Sequence, residues 1–137
     1  MKKTLMTLAA LAILLPAGAA SANDAIVGTW ASTDGESKIE IAPCGDKFCN
    51  TIIWLKEPRK DSLNEDKSLR ERDLVGLRIS DNLKHAGANK WSGDVYAPKK
   101  GKTYSGFATL AGEKLTMKGC LTSAGILCQT RTFTRAN

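Results

Sequence analysis

The sequence has very few residues suited to acid–base catalysis at neutral pH. It contains one histidine, His85, which lies in a polar stretch with no evident partner. General acid–base catalysis needs a pair of titratable groups in a cleft, and nucleophilic catalysis needs a base beside the nucleophile. Neither arrangement is recognisable among the serines and cysteines, so we expect a protein that is not an enzyme. No cofactor is indicated.

Long hydrophobic runs are also missing, with one short exception near the amino terminus. The apolar run Leu5–Leu15 is shorter than the roughly 20 residues that a membrane-spanning helix needs. Lys2 and Lys3 precede the run, as in the positive start of a secretion signal. No cysteine follows it closely, which argues against a lipoprotein anchor. The pattern predicts an exported protein that is not transmembrane.

The end of this signal is marked by small residues. Ala20-Ser21-Ala22 offers small side chains at the two positions that a signal peptidase reads. We therefore predict a signal peptide over residues 1–22 and one domain over residues 23–137, because roughly 115 residues suit one core. The protein is expected in the periplasm or outside the cell.

Clustered basic charge is absent as well, although the chain is basic overall. The net charge is +6, but the lysines and arginines are scattered along the sequence. A scattered basic charge does not make the continuous patch that nucleic-acid binding needs. The distribution excludes a nucleic-acid partner and leaves open a weak attraction to an anionic lipid surface.

The four cysteines favour structural disulfides. Export places them in an oxidising compartment, where disulfide bonds persist. Three pairings are possible, and we favour the two local ones, Cys44–Cys49 and Cys120–Cys128. The spacings are wider than that of a redox-active pair. A zinc site is disfavoured, because His85 lies far from the cysteines.

The rest of the chain shows short alternating runs and no helical periodicity. Residues Ile39 and Ile41 alternate with Lys38 and Glu40, as in a half-buried strand. Similar runs separated by turn residues predict eight antiparallel strands and an all-β, up-and-down barrel. The predicted strands cover residues 27–32, 37–42, 48–55, 74–79, 90–96, 102–110, 114–119 and 129–135. Residues 80–89 are predicted to form a polar loop.

Closure of this barrel would pair the first strand with the last. Trp30 in the first strand and two arginines beside Phe133 in the last are the expected closure residues. Arg131 or Arg135 would then lie flat on the Trp30 ring in a cation–π contact.

One long charged segment interrupts the strands, and we call residues 56–73 the charged loop. Because residues 52–55 are apolar on both faces, the charged loop is expected to cover the outer side of that strand. Ser62, Asn64 or Asp66 would cap a short helix over residues 66–71. The loop is read either as a solvated connection or as a lid. Calcium binding is disfavoured, because the acidic spacing lacks the terminal glutamate of a calcium loop.

The sequence resembles a family of small exported bacterial proteins, numbered twenty-one forty-seven among the domains of unknown function. The resemblance covers nearly all of the chain after the signal. It rests on these segments and residues: Gly28-Thr29-Trp30, Cys44, Phe48-Cys49, Ile53-Trp54-Leu55, Arg70, Arg72, Leu74, Gly76-Leu77, Trp91-Ser92-Gly93-Asp94-Val95-Tyr96-Ala97-Pro98, Gly101-Lys102-Thr103-Tyr104, Leu115, Gly119-Cys120 and 129–135.

The resemblance implies a lipocalin-like barrel and no established activity. Two residues depart from the family's pattern. Ala97 stands where the family tends to have an acidic residue, and Phe133 stands where it tends to have tryptophan. A ligand contact at either position would change what this chain binds.

Two functions remain open from the sequence. In the first, the barrel binds a small apolar or amphipathic ligand, because an eight-stranded barrel is just wide enough to hold one. The alternative is an interaction module with a packed barrel, which contacts an envelope protein or an anionic lipid surface. The aromatic residues could equally fill a core. The candidate ligand-binding residues are Trp54, Trp91, Tyr96, Tyr104 and Phe107, with Arg70, Arg72 or Lys102 for an acidic head group.

Overall fold

The fold is an eight-stranded barrel, seen here in a computed structural model. The structure describes residues 9–10, 12–13 and 25–136. The predicted signal-peptide cleavage site therefore lies outside the described residues. The strands are β1 (Gly28–Ser32), β2 (Ser37–Cys44), β3 (Lys47–Leu55), β4 (Arg78–Gly87), β5 (Lys90–Ala97), β6 (Lys102–Ala111), β7 (Lys114–Cys120) and β8 (Cys128–Arg135).

Each strand pairs antiparallel with its neighbour in sequence, and β1 pairs with β8. Trp30 is the register partner of Arg135, and Ser32 is the register partner of Phe133. The closed ring leaves no unpaired edge strand. The predicted all-β, up-and-down antiparallel barrel is confirmed.

The strand alternation places apolar side chains inside the barrel. In β2, Ile39 and Ile41 are buried while Lys38 and Glu40 are exposed, as the sequence predicts. In β8, Phe133 is 4% exposed and packs in the same core cluster as Trp30, which is fully buried. Burial of these apolar side chains is the main contribution to the stability of the barrel.

The predicted position of the fourth strand was wrong. The structure begins β4 at Arg78 and continues it through residues that we predicted as a polar loop. The pairing with β3 fixes the position of β4, because Ser80 pairs with Asn50 and Leu83 pairs with Phe48. Val75, which we predicted on the inward face of this strand, lies before β4 and is 39% exposed.

The predicted cover over β3 was also wrong. A β-bulge shifts the pairing of β2 with β3, so that Lys38 pairs with Trp54 while Ile39 pairs with Ile52. The extra residue, Ile53, and its neighbour Trp54 both face outward and are 38% and 42% exposed. Lys38 lies over the Trp54 ring, with its Nζ 5.4 Å from the ring centroid. The run 52–55 is apolar throughout because the bulge places two consecutive apolar residues on the outer face of β3, between the inward-facing Ile52 and Leu55.

Both favoured disulfides are present. Cys44–Cys49 spans the two-residue turn between β2 and β3, and Cys120–Cys128 closes the loop between β7 and β8. Short covalent loops of this kind restrict the unfolded chain. The disulfides fit an exported protein.

The two ends of the barrel differ, and we name them by their connections. The closed end carries residues 25–27 and the tight turns at 45–46, 88–89 and 112–113. The open end carries the turn at 33–36, the charged loop, the turn at 98–101 and the loop at 121–127. Among the described residues, no helix is long and apolar enough to cross a membrane.

Candidate functional site

A cavity of about 370 Å³ occupies the open half of the barrel. Its inner wall is formed by side chains that the strand alternation turns inward, such as Ile39, Ile52 and Met117. Towards the rim it reaches exposed residues, including Leu121 and Leu127. A volume of this size lies within the range of small-molecule sites. The barrel interior is therefore only partly filled by side chains.

The charged residues that line this cavity are all basic. They come from three separated parts of the chain: the charged loop, the β5–β6 turn, and strands β7 and β8. They are Arg59, Lys99, Lys100, Lys118 and Arg131. An apolar interior with a cationic mouth has the charge distribution to bind an amphipathic anion.

Arg131 is partly neutralised by the turn at the open end. Its Nη2 lies 3.4 Å from Oδ2 of Asp34 and 3.4 Å from the hydroxyl of Ser37. The Asp34 carboxylate accepts a hydrogen bond from the Ser32 hydroxyl at 2.6 Å and one from the Glu36 N–H. These two hydrogen bonds lower the pKa of Asp34 below its ordinary value. Lys99, another cation of the lining, also lies near enough to Asp34 to lower its pKa electrostatically.

The charged loop lies beside the open end and is held there by Asp61. This side chain is 1% exposed and accepts hydrogen bonds from Tyr96 Oη at 2.5 Å, Asn64 Nδ2 at 2.8 Å and Arg72 Nε at 2.9 Å. Arg72 also lies over the Tyr96 ring, 5.5 Å from its centroid. Since Tyr96 belongs to β5, this cluster ties the charged loop to the barrel wall.

The cluster shifts two pKa values in opposite directions. Burial alone would raise the pKa of Asp61, but hydrogen bonds from Asn64, Tyr96 and Arg72 hold it below its ordinary value. Burial, together with the hydrogen bond to Asp61, raises the pKa of Tyr96 to about 12. Tyr96 is therefore a neutral donor and Asp61 a charged acceptor at neutral pH.

The charged loop also contacts the turn at 98–101. The Glu65 N–H donates a hydrogen bond to the Gly101 carbonyl at 3.1 Å. Glu65 also pairs with Lys102 at 3.2 Å on the exposed surface. A second hollow of about 380 Å³ lies between the loop and this turn. It shares four lining residues with the cavity: Arg59, Leu74, Pro98 and Lys99. Inside the loop, Asp66 caps the 3₁₀ turn Lys67–Leu69, one of the three caps expected from the sequence.

Two of the predicted ligand-binding aromatics line the cavity, and the others do not. Tyr96 and Tyr104 are in its wall. Trp54 lies on the outer face because of the bulge at Ile53. Trp91 points into the barrel but near the closed end, where it is 1% exposed in the hydrophobic core and its ring meets that of His85 edge-on at 6.0 Å. Trp54 and Trp91, two of the predicted ligand-binding residues, therefore lie outside the lining of this cavity.

The predicted head-group residues lie outside the cavity lining as well. Arg72 is engaged by Asp61, and Arg70 Nε donates to the Asn64 carbonyl at 2.8 Å. Lys102 pairs with Glu65, and Phe107 is on the outward-facing side of β6. The basic residues that do line the cavity are Arg59, Lys99, Lys100, Lys118 and Arg131.

Sequence reasoning missed the basic mouth and one polar residue inside the barrel. The mouth depends on loops that are distant in sequence, so no local pattern signalled it. Asn50 could have been found, because it interrupts the apolar inward face of β3 between Phe48 and Ile52. Ala97 and Phe133, the two departures from the family pattern, both line the cavity.

The fold places the protein in the class of lipocalin-like barrels. Its structure is similar to that of a lipocalin-family protein from the human pathogen Helicobacter pylori, with a TM-score of 0.72 and 22% sequence identity. The similarity covers 82% of this chain and 83% of the other.

The family is established by sequence. Residues 28–135 match the family described as "uncharacterized protein conserved in bacteria", DUF2147, and the chain belongs to it. A comparison with curated proteins gave no match.

Proposed function

We propose that this protein is an exported binding protein for a small amphipathic anion, held with its apolar part inside the barrel and its charged head at the open end. The observation that carries the proposal is the cavity of about 370 Å³, whose charged lining residues are all basic. The lipocalin-like fold supports the proposal, because barrels of eight strands have room for one small ligand.

The physical argument has two parts. Transfer of an apolar chain from water to the cavity is favourable in proportion to its buried area. A carboxylate or phosphate at the mouth would interact with Lys99, Lys100 and Lys118, which remain exposed enough to keep their own hydration. The three lysines would thus orient the ligand with its apolar part inward, and they would lose little of their own hydration on binding it.

A fluorescent fatty acid carrying a dansyl group is a suitable probe. We expect saturable binding to the detergent-free protein and competition by unlabelled fatty acid. The methyl ester of the same acid should compete less well, because it lacks the charge. Equal competition by acid and ester would contradict the role of the basic mouth.

Charge reversal provides the matched comparison. Lys100→Glu at the mouth should weaken fatty-acid binding by about fivefold, the upper end for one exposed charge pair. Lys114→Glu is the control, because Lys114 is exposed at the closed end, at the start of β7. The same loss in both variants would point to a general charge effect, and the mouth would then have no specific role.

The alternative function is an interaction module with no internal ligand. Three apolar side chains on the β7–β8 loop favour it: Leu121, Ile126 and Leu127 are 58%, 55% and 73% exposed at the open end. Native mass spectrometry of protein purified without detergent separates the two functions. A retained small molecule supports the binding protein, whereas a ligand-free barrel that captures an envelope protein or binds anionic vesicles supports the module.

The proposed compartment is the periplasm or the exterior of the cell, reached through a cleaved signal peptide. The disulfides Cys44–Cys49 and Cys120–Cys128 support export. Amino-terminal sequencing of the exported protein should begin at Asn23. A retained Met1 would contradict the cleavage.

A further inference from the structure

The inner part of the cavity contains one polar side chain whose hydrogen bonding is incomplete. Asn50 lies on the inward face of β3, has no exposed surface, and lines the cavity beside Ile39 and Met117. Within residues 25–136, its Oδ1 is the one buried side-chain nitrogen or oxygen atom that lacks a hydrogen-bond partner. Buried polar groups in folded proteins are nearly always paired, so this atom needs an explanation.

The other half of the Asn50 amide is only weakly bonded. Its Nδ2 donates to the thioether sulfur of Met117 at 3.6 Å, and a thioether is a weak acceptor. Exchange of the amide nitrogen and oxygen would leave the nitrogen without an acceptor, and it would place the oxygen against a sulfur that has no hydrogen to donate. In both orientations, at least one strong hydrogen-bonding atom of Asn50 is left without a partner.

The barrel does not require a polar residue at this position. The inward neighbours on the same strand are Phe48 and Ile52, both apolar and buried. Other polar residues near the cavity are satisfied: the Ser37 hydroxyl accepts from Arg131, and the Ser80 hydroxyl donates to the Asp94 carbonyl at 2.6 Å. An apolar residue at position 50 would remove a buried unpaired group. Departures of this kind from the packing rules concentrate at functional sites.

We propose that Asn50 is a specificity-determining residue that binds a hydroxyl group on the apolar part of the ligand. The inference rests on the proposed function and adds the ligand class: a hydroxylated amphipathic anion, such as a hydroxy fatty acid. A hydroxyl fits best because it both donates and accepts, so it satisfies Asn50 in either amide orientation. The charged group of the ligand then lies at the mouth of the cavity, and its hydroxyl group lies in the inner part beside Asn50.

The direct test compares fatty acids of one chain length, with and without a hydroxyl, as competitors of the dansyl probe. A series with the hydroxyl at different carbons should contain one position that binds about tenfold tighter than the plain acid. In the Asn50→Leu variant this preference should disappear, so that the hydroxy acid and the plain acid compete equally for that variant. Leucine is the closest apolar match in shape to asparagine.

A thermal scan of Asn50→Leu separates recognition from a structural role. Since the substitution removes an unpaired polar group, the melting temperature of the ligand-free variant should be unchanged or higher. A large decrease would show that Asn50 supports the fold, and would overturn the proposal.

Nuclear magnetic resonance of the unaltered protein provides a second readout that needs no variant. The side-chain NH₂ signal of Asn50 should shift with the best hydroxy acid and shift less with the plain acid. Equal binding of all the acids, or a preference that survives Asn50→Leu, would overturn the role of Asn50 and leave the binding function intact. Failure of every acid to bind would overturn both.

Discussion

The guanidinium of Arg135 lies 4.2 Å from the ring centroid of Trp30, across the seam between the last strand and the first. Arg135 also donates to the carbonyls of Ala25 at 2.8 Å and Val27 at 3.0 Å, and Trp30 Nε1 donates to the Ile26 carbonyl at 2.9 Å. These contacts join β8, β1 and residues 25–27 at the closed end. Closure of the ring and sealing of that end therefore depend on the same pair.

Replacement of Arg135 by methionine should destabilise the barrel by about 2.5–4 kcal/mol. The cation–π contact contributes about 0.5–2 kcal/mol, and each hydrogen bond from the charged side chain to a carbonyl contributes a further ~1 kcal/mol. Chemical denaturation followed by tryptophan fluorescence measures the change. Arg78→Met is the control, because Arg78 is exposed on β4. Equal stabilities of the two variants would contradict the role of Arg135 in closure.

Much of this seam could be predicted from the sequence. The alternation in residues 131–135 puts Arg131, Phe133 and Arg135 on one face, and that face points into the barrel. Which arginine meets Trp30 could not be predicted, because it depends on the register of β1 with β8. Arg131 is four residues nearer the open end and lies in the cavity wall.

The fourth strand shows where alternation misleads. Residues 75, 77 and 79 alternate as a strand would, yet β4 begins only at Arg78. The strand itself is rich in polar residues and has a weak pattern of its own. Pairing of Ser80 with Asn50 and of Lys84 with Ser92 fixes its position between β3 and β5. Contacts between distant segments therefore override the local pattern.

The mouth could not be predicted for a related reason. Arg59, Lys99 and Lys118 belong to three separate segments and are brought to one rim only by closure of the ring. Alternation indicates the face of a strand on which a residue lies, whereas the set of loops that share an end depends on topology.

The hydroxyl of Tyr96 should titrate well above the usual range. The folded-state pKa is about 12, against an ordinary value of 10.0. Burial is the largest cause of the raised pKa, and the hydrogen bond to Asp61 adds to it. The neutral, buried Tyr96 therefore contributes fully to stability below pH 10, and this contribution is lost as the pH rises towards 12. The sequence contains two tyrosines, so Tyr104→Phe leaves Tyr96 as the sole phenol.

An ultraviolet titration of the Tyr104→Phe variant measures this pKa directly. Tyrosinate absorbance should begin to rise only above pH 11 in the folded protein. The same variant with Asp61→Asn should titrate nearer to 10, because the acceptor has lost its charge. Ionisation of Tyr96 near pH 10 in both variants would contradict the buried hydrogen bond.

Asp61→Asn should release the charged loop from the barrel. The asparagine keeps the shape but loses the charge that strengthens bonds to Arg72, Asn64 and Tyr96, at a cost of about 2 kcal/mol. Trypsin cleavage within the charged loop, which contains five lysines and arginines between Arg59 and Arg72, should accelerate roughly 30-fold. Asp73→Asn is the matched control, because its ion pair with Lys60 is exposed at 3.2 Å. Its cleavage rate should stay close to that of the original protein.

Acid should reproduce the effect of Asp61→Asn. The folded-state pKa of Asp61 lies below the ordinary 3.8, so its contribution is complete above pH 3.8 and is lost as the pH falls through the lowered value. Hydrogen exchange of the loop amides should therefore remain slow at pH 4 and lose its protection at lower pH. Loss of protection already at pH 5 would contradict a charged, buried Asp61.

Gly101→Ala should displace the charged loop by direct steric overlap. Gly101 has a φ of +71°, and a Cβ at this position would overlap the carbonyl oxygen of Leu63 in the charged loop. Both partners are backbone, so no side-chain rotation relieves the overlap. The hydrogen bond from Glu65 N–H to the Gly101 carbonyl would then stretch or break. We expect faster trypsin cleavage of the loop and faster release of the dansyl fatty acid, because the loop borders the mouth of the cavity.

Gly112→Ala separates this overlap from the ordinary strain of a left-handed residue. Gly112 has a φ of +60° in the turn between β6 and β7 at the closed end, and a Cβ there would meet nothing within 4 Å. Both variants carry the cost of placing alanine at positive φ, roughly 1–2 kcal/mol. Only Gly101→Ala carries the overlap, so loop cleavage and probe release should change in that variant alone. Equal changes in both variants would mean that the charged loop does not control access to the cavity.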